Sequence, residues 1–295
     1  MPAFCIILLT FNEERNLGAC LDSLQGLDAP LFVVDSFSTD GTLAMLDQRG
    51  VPYVQHVFEN YARQRNWAQE VCPFDTPWVL HLDAGERLTP ELVRWLQTEF
   101  HPESAVDGYM FSRRTHFLGR WIRYGGHYPN YHLRLFRRTH GRCEDKAYDQ
   151  HFVCDGATQH LPPGIDIIDT VCDTLYQFTQ SHARWALYEA IETVGGQMQQ
   201  GEVEARLGGT PIEQKRWLKQ RVFQRSPLFV RALLYYLYRY LLRGGFRDGA
   251  PGLIFHFLQG FWFRFLIDAN VWELRRAVRE SGQSLGDVVR ERYKF

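Results

Sequence analysis

Long uninterrupted apolar runs are missing from this chain of 295 residues. No stretch reaches the roughly 18 apolar residues of a simple membrane-crossing helix, so none is expected. The apolar run at residues 4–9 stops at Asn12, Glu13 and Glu14 and has no basic leader, so a signal peptide is not expected either. The six cysteines (5, 20, 72, 143, 154 and 172) include no C-x-x-C pair. That argues against zinc-ribbon and thioredoxin spacings and fits free thiols in a reducing cytoplasm. The eleven histidines are scattered, without an H-E-x-x-H or Cys–His cluster, so no zinc site is expected. There is no P-loop, no G-x-G-x-x-G after the first apolar run and no G-x-S-x-G elbow, which argues against ATPase, dinucleotide-binding and hydrolase readings. A formal net charge of −1 argues against nucleic acid as a partner of the whole chain. Repeats and low-complexity tracts are absent too.

What is present is a core-forming composition, 45% hydrophobic, and an alternation of short apolar runs with helical patterns. FCIILLT (4–10), LFVVD (31–35), YVQHV (53–57) and WVLHLD (78–83) are predicted strands. Between them, Leu17, Cys20, Leu21 and Leu24 recur at helical spacing, Ser38-Thr39-Asp40-Gly41 reads as a turn and cap, and a helix is predicted over 61–71. Strand–helix alternation of this kind predicts a parallel α/β sheet covered on both faces. Ligands of such sheets bind beyond the carboxyl ends of the strands, so the loops after Thr10, Asp35 and Leu82 are the expected functional loops. Further on, GYMFSRR and YHLRLFRR read as strands, GGHYP (125–129) as a loop and 181–206 as helix.

The loop HLDAGERLTP (81–90) places Asp83 and Glu86 at the end of an apolar strand. Buried carboxylates need a partner. A divalent cation, Mg2+ or Mn2+, prefers such oxygens. The plainer alternative is a structural pair capping the helix that begins near Pro90. Without an ion, Arg65, Arg113, Arg114 or Arg134 would have to supply positive charge.

TFNEERNL (10–17), VVDSFSTDGT (33–42), the Arg65-Asn66 pair of YARQRNWA (61–68) and HLDAGERLTP together resemble the family 2 glycosyltransferases. GFRDG (245–249) and the aromatic tail resemble, more narrowly, bacterial lipopolysaccharide-core glucosyltransferases. The resemblance covers nearly the whole chain. It implies a GT-A type, Rossmann-like, mostly parallel sheet with helices on both faces and a C-terminal aromatic-rich helical extension. It also implies a catalytic domain over 1–220 and an amphipathic, membrane-associating region over 221–295. By the same resemblance Thr10, Asn12, Glu13, Asp35, Asp40, Arg65, Asn66 and Asp83 frame a nucleotide-sugar donor. The family's D-x-D metal motif falls on Asp83-Ala84-Gly85, so Gly85 stands where the direct metal ligand is expected and Glu86 is the candidate replacement. A second departure is Ser36, where many members carry Asp.

The resemblance further implies an inverting reaction with one carboxylate as base on the acceptor side. Asp149, Glu144 and Asp145 are the candidates, in that order, with His151 beside them. A UDP-glucose donor and a lipid-linked saccharide acceptor such as lipopolysaccharide core are implied. The alternatives are a polyprenyl-linked or capsule and exopolysaccharide precursor, or a catalytically silent nucleotide-sugar-binding protein. Nine Lys or Arg and no acid lie between Lys215 and Arg247, and LFVRALLYYLYRYLL (228–242) and LIFHFLQGFWFRFLI (253–267) are rich in aromatics. These features suit a helix lying in a membrane interface, or one packed on the catalytic domain or a second subunit. The expected location is the cytoplasm, peripheral on the inner membrane, with a homo-oligomer left open.

Overall fold

A computed structural model describes residues 2–145, 150–171, 174–195, 206–218 and 226–293. The chain forms two compact units, one of residues 1–116 and 128–171, the other of residues 117–127 and 172–295. Contacts, unlike composition, group the helix after residue 174 with the C-terminal helices.

The first unit is built on a sheet. Strand β1 (Phe4–Thr10) is buried along its whole length. It pairs in parallel with β2 (Leu31–Asp35) on one side and β4 (Trp78–Asp83) on the other, and β2 pairs in parallel with the short β3 (Tyr53–Gln55). A central parallel strand with both faces covered must be apolar at every position, which is why FCIILLT shows no alternation. Beyond β4 follow β8 (Tyr131–Arg137), β6 (Gly108–Phe117), β12 (Asp166–Thr170) and β5 (Glu86–Leu88). There β8 runs against both neighbours, β12 runs parallel to β6, and β5 runs against β12. The short β11 (Thr158–His160) adds in parallel to β6, so parallel pairs predominate. A separate hairpin joins β9 (Gly141–Cys143) to β10 (Phe152–Cys154).

Four helices, α1 (Leu17–Ser23), α2 (Thr42–Gln48), α3 (Tyr61–Val71) and α4 (Pro90–Thr98), follow strands β1, β2, β3 and β5. Asn60 caps α3 and Thr89 caps α4 through side-chain oxygens that accept N–H groups of the first turn. The cap of α4 is therefore Thr89, with Pro90 just inside, and neither Asp83 nor Glu86 serves that role. Apolar side chains of β1, β4 and β6 pack with those of α1 and α4 into one core, in which Trp78, Trp95, Phe100 and Tyr109 meet largely edge to face. Truncating fully buried Leu8 to Ala in such a core costs about 2–5 kcal/mol.

The second unit is mostly helical. It holds the short β7 (Arg120–Trp121), α5 (Leu175–Val194), α6 (Pro211–Leu218), α7 (Val230–Leu237), α8 (Gly249–Phe255), α9 (Phe263–Ser281) and α10 (Leu285–Tyr293). The helix expected over 181–206 starts earlier, because Thr174 caps it, and it ends at Val194. Residues 196–205 lie outside the described residues. The helix α7 continues to Leu242 as a π-helical turn, and a second π-helical stretch, His256–Trp262, joins α8 to α9. Asp268 in α9 is fully buried. It accepts a 2.7 Å hydrogen bond from the Phe229 N–H and pairs with the Arg231 guanidinium, which fixes the start of α7.

The GFRDG stretch has a structural task within this unit. Asp248 accepts the backbone N–H groups of Arg123 and Tyr124 at 3.1 and 2.9 Å, and the Arg247 guanidinium lies 4.5 Å over the Tyr124 ring. Arg239 donates to the Gly125 carbonyl at 2.9 Å and meets His127 Nδ1 at 3.0 Å. The His256 ring is buried between two glycines. A Cβ on Gly125 would fall 2.2 Å from its Cε1, and one on Gly245 would fall 2.5 Å from its Cδ2. Burial, then the nearby Arg239 charge, lowers the His256 pKa to about 3, so the ring is neutral.

The helix Gly245–Ser281 is long and apolar enough to cross a membrane by length and composition, although it contains no unbroken apolar run of that length. Arg264 and Asp268 interrupt it, paired within the unit to Glu189 and Arg231.

Candidate active site

Register brings the predicted residues together. Thr10 lies opposite Asp35 across β1 and β2, and Leu9 lies opposite Asp83 across β1 and β4, so all three strands deliver their polar ends to one edge. Asp35 is fully buried there. One of its oxygens accepts from the Thr10 hydroxyl at 3.0 Å and from the Ser38 hydroxyl. The other accepts from the Ser38 N–H at 2.8 Å and from Gln55 Nε2 at 3.1 Å.

The loops after β1 and β2 are laced to each other. Asn12 Oδ1 accepts the Thr39 N–H at 2.8 Å, and the Asn12 N–H donates to the Ser38 hydroxyl at 2.9 Å. The Glu13 N–H donates to the Thr42 hydroxyl at 2.8 Å. Asp40 accepts the N–H groups of Thr42 and Glu14 at 3.0 and 3.2 Å. Slight burial pushes its pKa up, but the Thr42 hydroxyl and these N–H groups outweigh it and hold the carboxyl below its usual range. Asn12 and Phe37 both adopt left-handed backbone, φ +54° and +61°. Asn tolerates this and Phe does so at a cost, which places strain in the loop beside Asp35. Phe11 and Phe37 are both half exposed at this edge.

At the end of β4, the Asp83 carboxylate meets two guanidiniums. Arg65 reaches both of its oxygens at 3.0 Å, and Arg134 reaches one at 3.1 Å. Glu86 is buried. It accepts from Arg134 at 2.5 Å and from the Asp83 N–H at 3.1 Å, with Arg113 4.0 Å away. Burial pushes Asp83 up, yet Arg65 and Arg134 win and hold it well below the usual carboxylate range. For Glu86 burial wins over Arg134, and the charges of Asp83 and Asp169 add to it, so its pKa is pushed up to about 7. Phe152 lies under both guanidiniums, 5.1 Å from Arg65 and 5.7 Å from Arg134. Among the described residues, Arg134 Nη1 is buried without a hydrogen-bond partner.

This donor set does not fit a divalent cation as arranged. Both Asp83 oxygens accept from guanidiniums, and Glu86 is engaged by Arg134 and a peptide N–H. Among the described residues, no group of three or more His, Cys, Asp or Glu is placed to hold a metal ion. Asp83 and Glu86, the residues expected to hold a metal, are here paired with arginine. Of the four arginines considered for positive charge, Arg65, Arg134 and Arg113 stand here, whereas Arg114 binds Asp166 at 2.6 Å.

Asn66 sits one residue after Arg65, but its amide is turned to the backbone of Cys143, donating at 2.9 Å and accepting at 2.8 Å. It anchors β9, from which the base candidates follow. Glu144 is fully buried and accepts the His151 N–H at 3.0 Å, with His151 Nδ1 at 3.1 Å. Asp145 is exposed. Asp149 lies outside the described residues. Sequence reasoning missed Gln55, Phe152 and Asp169, the last 3.4 Å from Arg113. Gln55 closes the third strand as Asp35 closes the second, but the strand ends there rather than at residue 57, which the apolar pattern did not show.

The chain belongs to glycosyl transferase family 2, whose model matches residues 5–157, just over half of it. It is 34% identical over 147 residues to the lipopolysaccharide core biosynthesis glycosyltransferase LpsC of Rhizobium meliloti (strain 1021), a match covering 48% of this chain and 52% of LpsC. An uncharacterized glycosyltransferase of Rickettsia felis is 32% identical over 92 residues, 31% of this chain and 32% of that protein. The chain thus spans about half of the length of LpsC and about a third of that of the Rickettsia protein. Among solved structures, S. aureus TarS 1-349 in complex with UDP-GlcNAc has a TM-score of 0.44 at 15% identity, covering 96% of this chain and 93% of that one. The glucosyl-3-phosphoglycerate synthase of Mycobacterium tuberculosis, in complex with Mn2+, UDP and phosphoglyceric acid, has a TM-score of 0.31 at 20% identity, covering 40% and 44%.

Proposed function

We propose that the chain transfers a sugar, with inversion, from a nucleotide-sugar donor to a lipid-linked saccharide at the cytoplasmic face of the inner membrane. UDP-glucose is the proposed donor and lipopolysaccharide core the proposed acceptor. The observation that carries the reading is the convergence of Thr10, Asp35 and Asp83 on one strand edge in a chain of this family. Asp35 and the laced loops hold the nucleoside. The leaving diphosphate gains negative charge as the glycosidic bond breaks, and preorganised positive charge stabilises it. Arg65, Arg134 and Arg113 supply that charge in this reading, Arg134 with a donor to spare. No step is assigned to a divalent cation.

Asp149 is the proposed base, on sequence grounds. It takes the proton of the acceptor hydroxyl as that oxygen attacks the anomeric carbon opposite the leaving diphosphate. Glu144 is enclosed against His151. The proposed functional division stays at residue 220, with 221–295 the membrane-associating part.

The first experiment is calorimetric titration of UDP and UDP-glucose into the purified chain, with and without Mn2+. Metal-free binding that weakens in Arg65→Ala is expected. Binding that requires Mn2+ would move charge control to a metal, and binding of neither ligand would point to another nucleotide first and then to a silent relative. Turnover is then followed on detergent-dispersed lipopolysaccharide-core and polyprenyl-linked acceptors. Asp149→Asn is expected to lower it about 10²–10⁴-fold while UDP affinity holds. Unchanged turnover would pass the role to Asp145 or Glu144.

A further inference from the structure

The helix α7 and its continuation are amphipathic the wrong way round for a protein surrounded by water. Val230, Leu233, Leu234, Leu237, Leu241 and Leu242 recur at helical spacing on one face and are all exposed, Leu234 at 59% and Leu242 at 80%. The cations point inward. Arg231 is buried against Asp268, and Arg239 is buried against the Gly125 carbonyl and His127. A water-facing helix shows the reverse pattern, with its apolar stripe turned to the core. A contiguous apolar face of this kind marks a binding surface.

The patch extends across the unit. Tyr236 meets Phe257 and Phe261, and Phe261 meets Phe265, so a ladder of rings joins α7 to the helix that follows. Leu253, Phe257 and Phe265 are themselves exposed. The C-terminal end of the stripe is rimmed by exposed Arg243 and Arg247. From residue 228 to 247 the sequence has no Asp or Glu.

We propose that this face is a membrane-insertion surface, seated in the acyl–headgroup boundary of a bilayer with anionic lipids. The inference deepens the peripheral membrane reading above by naming the surface and the lipid charge it selects. The thirteen residues 230–242 span about 20 Å, too short to cross a core of about 30 Å, so the helix lies in the plane of the interface. Leucines enter the acyl region, tyrosines sit at the boundary, and Arg243 and Arg247 meet lipid phosphates. A bilayer fits better than a second copy of the chain. A second copy would bring the same cations, and this segment offers no carboxylate to pair with them.

The test is flotation of the full chain with vesicles of phosphatidylethanolamine and phosphatidylglycerol, against vesicles of phosphatidylcholine alone. Wild type is expected to float with the anionic vesicles at least ten times better than with the neutral ones. The double variant Leu234→Glu, Leu241→Glu is expected to lose flotation on both, while a second variant, Arg243→Glu with Arg247→Glu, loses only the anionic preference. UDP titration and circular dichroism on each variant separate lost insertion from lost folding or a failed transferase reading. Equal flotation of the Leu variant and wild type would overturn the proposal. So would a wild-type dimer by light scattering that the Leu variant splits, since the face would then belong to a second copy.

Discussion

Arg134 holds Asp83 and Glu86 with a single nitrogen, 3.1 Å from one carboxylate and 2.5 Å from the other. Two acids three residues apart are thereby kept together at the end of β4. Removing that guanidinium leaves Glu86 buried beside a like charge. Arg134→Ala is expected to lower unfolding free energy by about 3–5 kcal/mol in urea titrations, the usual cost of breaking a buried pair from one side. Arg134→Lys keeps the charge but loses the fork, and should recover only part of that. Glu86→Gln in the Arg134→Ala background should relieve the loss.

Glu86 also gives the site a pH dependence. Its folded pKa, about 7, lies above its ordinary value of 4.5. The folded state therefore binds more protons than the unfolded state between those values, and stability falls as pH rises through that window. Each full pH unit is worth at most about 1.4 kcal/mol. Wild type should lose on the order of 1–3 kcal/mol relative to Glu86→Gln between pH 4.5 and 7, read from denaturant midpoints. Asp83 acts oppositely. Its pKa is depressed, so its contribution is present above about pH 4 and is lost only in stronger acid.

Much of this site was legible in the sequence. Strand ends carrying Thr10, Asp35 and Asp83 follow from apolar runs that stop at polar residues, and parallel pairing aligns them. The arginine partners were legible as types but not as pairs. Arg65 and Arg134 are 69 positions apart, on a helix and an antiparallel strand, and no local pattern encodes their meeting at Asp83. The inverted polarity of α7 was hidden for a related reason. A helical repeat of leucines shows that a stripe exists, but only the packing of Arg231 on Asp268 shows which face is outside.

Gly85 tests whether the loop retains room for a metal ligand. A Cβ there would meet nothing nearer than the Thr170 carbonyl at 3.8 Å, so Gly85→Asp is sterically admissible. The variant is expected to fold and to bind Mn2+ at least as tightly as wild type, read by calorimetry with and without UDP. Loss of UDP binding in a folded variant would argue that the loop is not built as a metal site.

Gly125 packs closely against the His256 ring. Gly125→Ala sets a methyl 2.2 Å from the ring at φ +71°, so both crowding and backbone strain oppose it. A loss of about 2–4 kcal/mol is expected in thermal or urea unfolding. The same substitution in a His256→Ala background should cost at least ~1 kcal/mol less, a coupling that a double-mutant cycle measures.

Arg65 and Asn66 are neighbours on α3, yet they hold different parts of the first unit. Arg65 grips the acid that closes β4, and Asn66 grips the Cys143 peptide at the root of the segment bearing the base candidates. A small roll of α3 would move both handholds at once. The helix is thus a tie between the end of β4 and β9, and substitutions along its back should loosen both together.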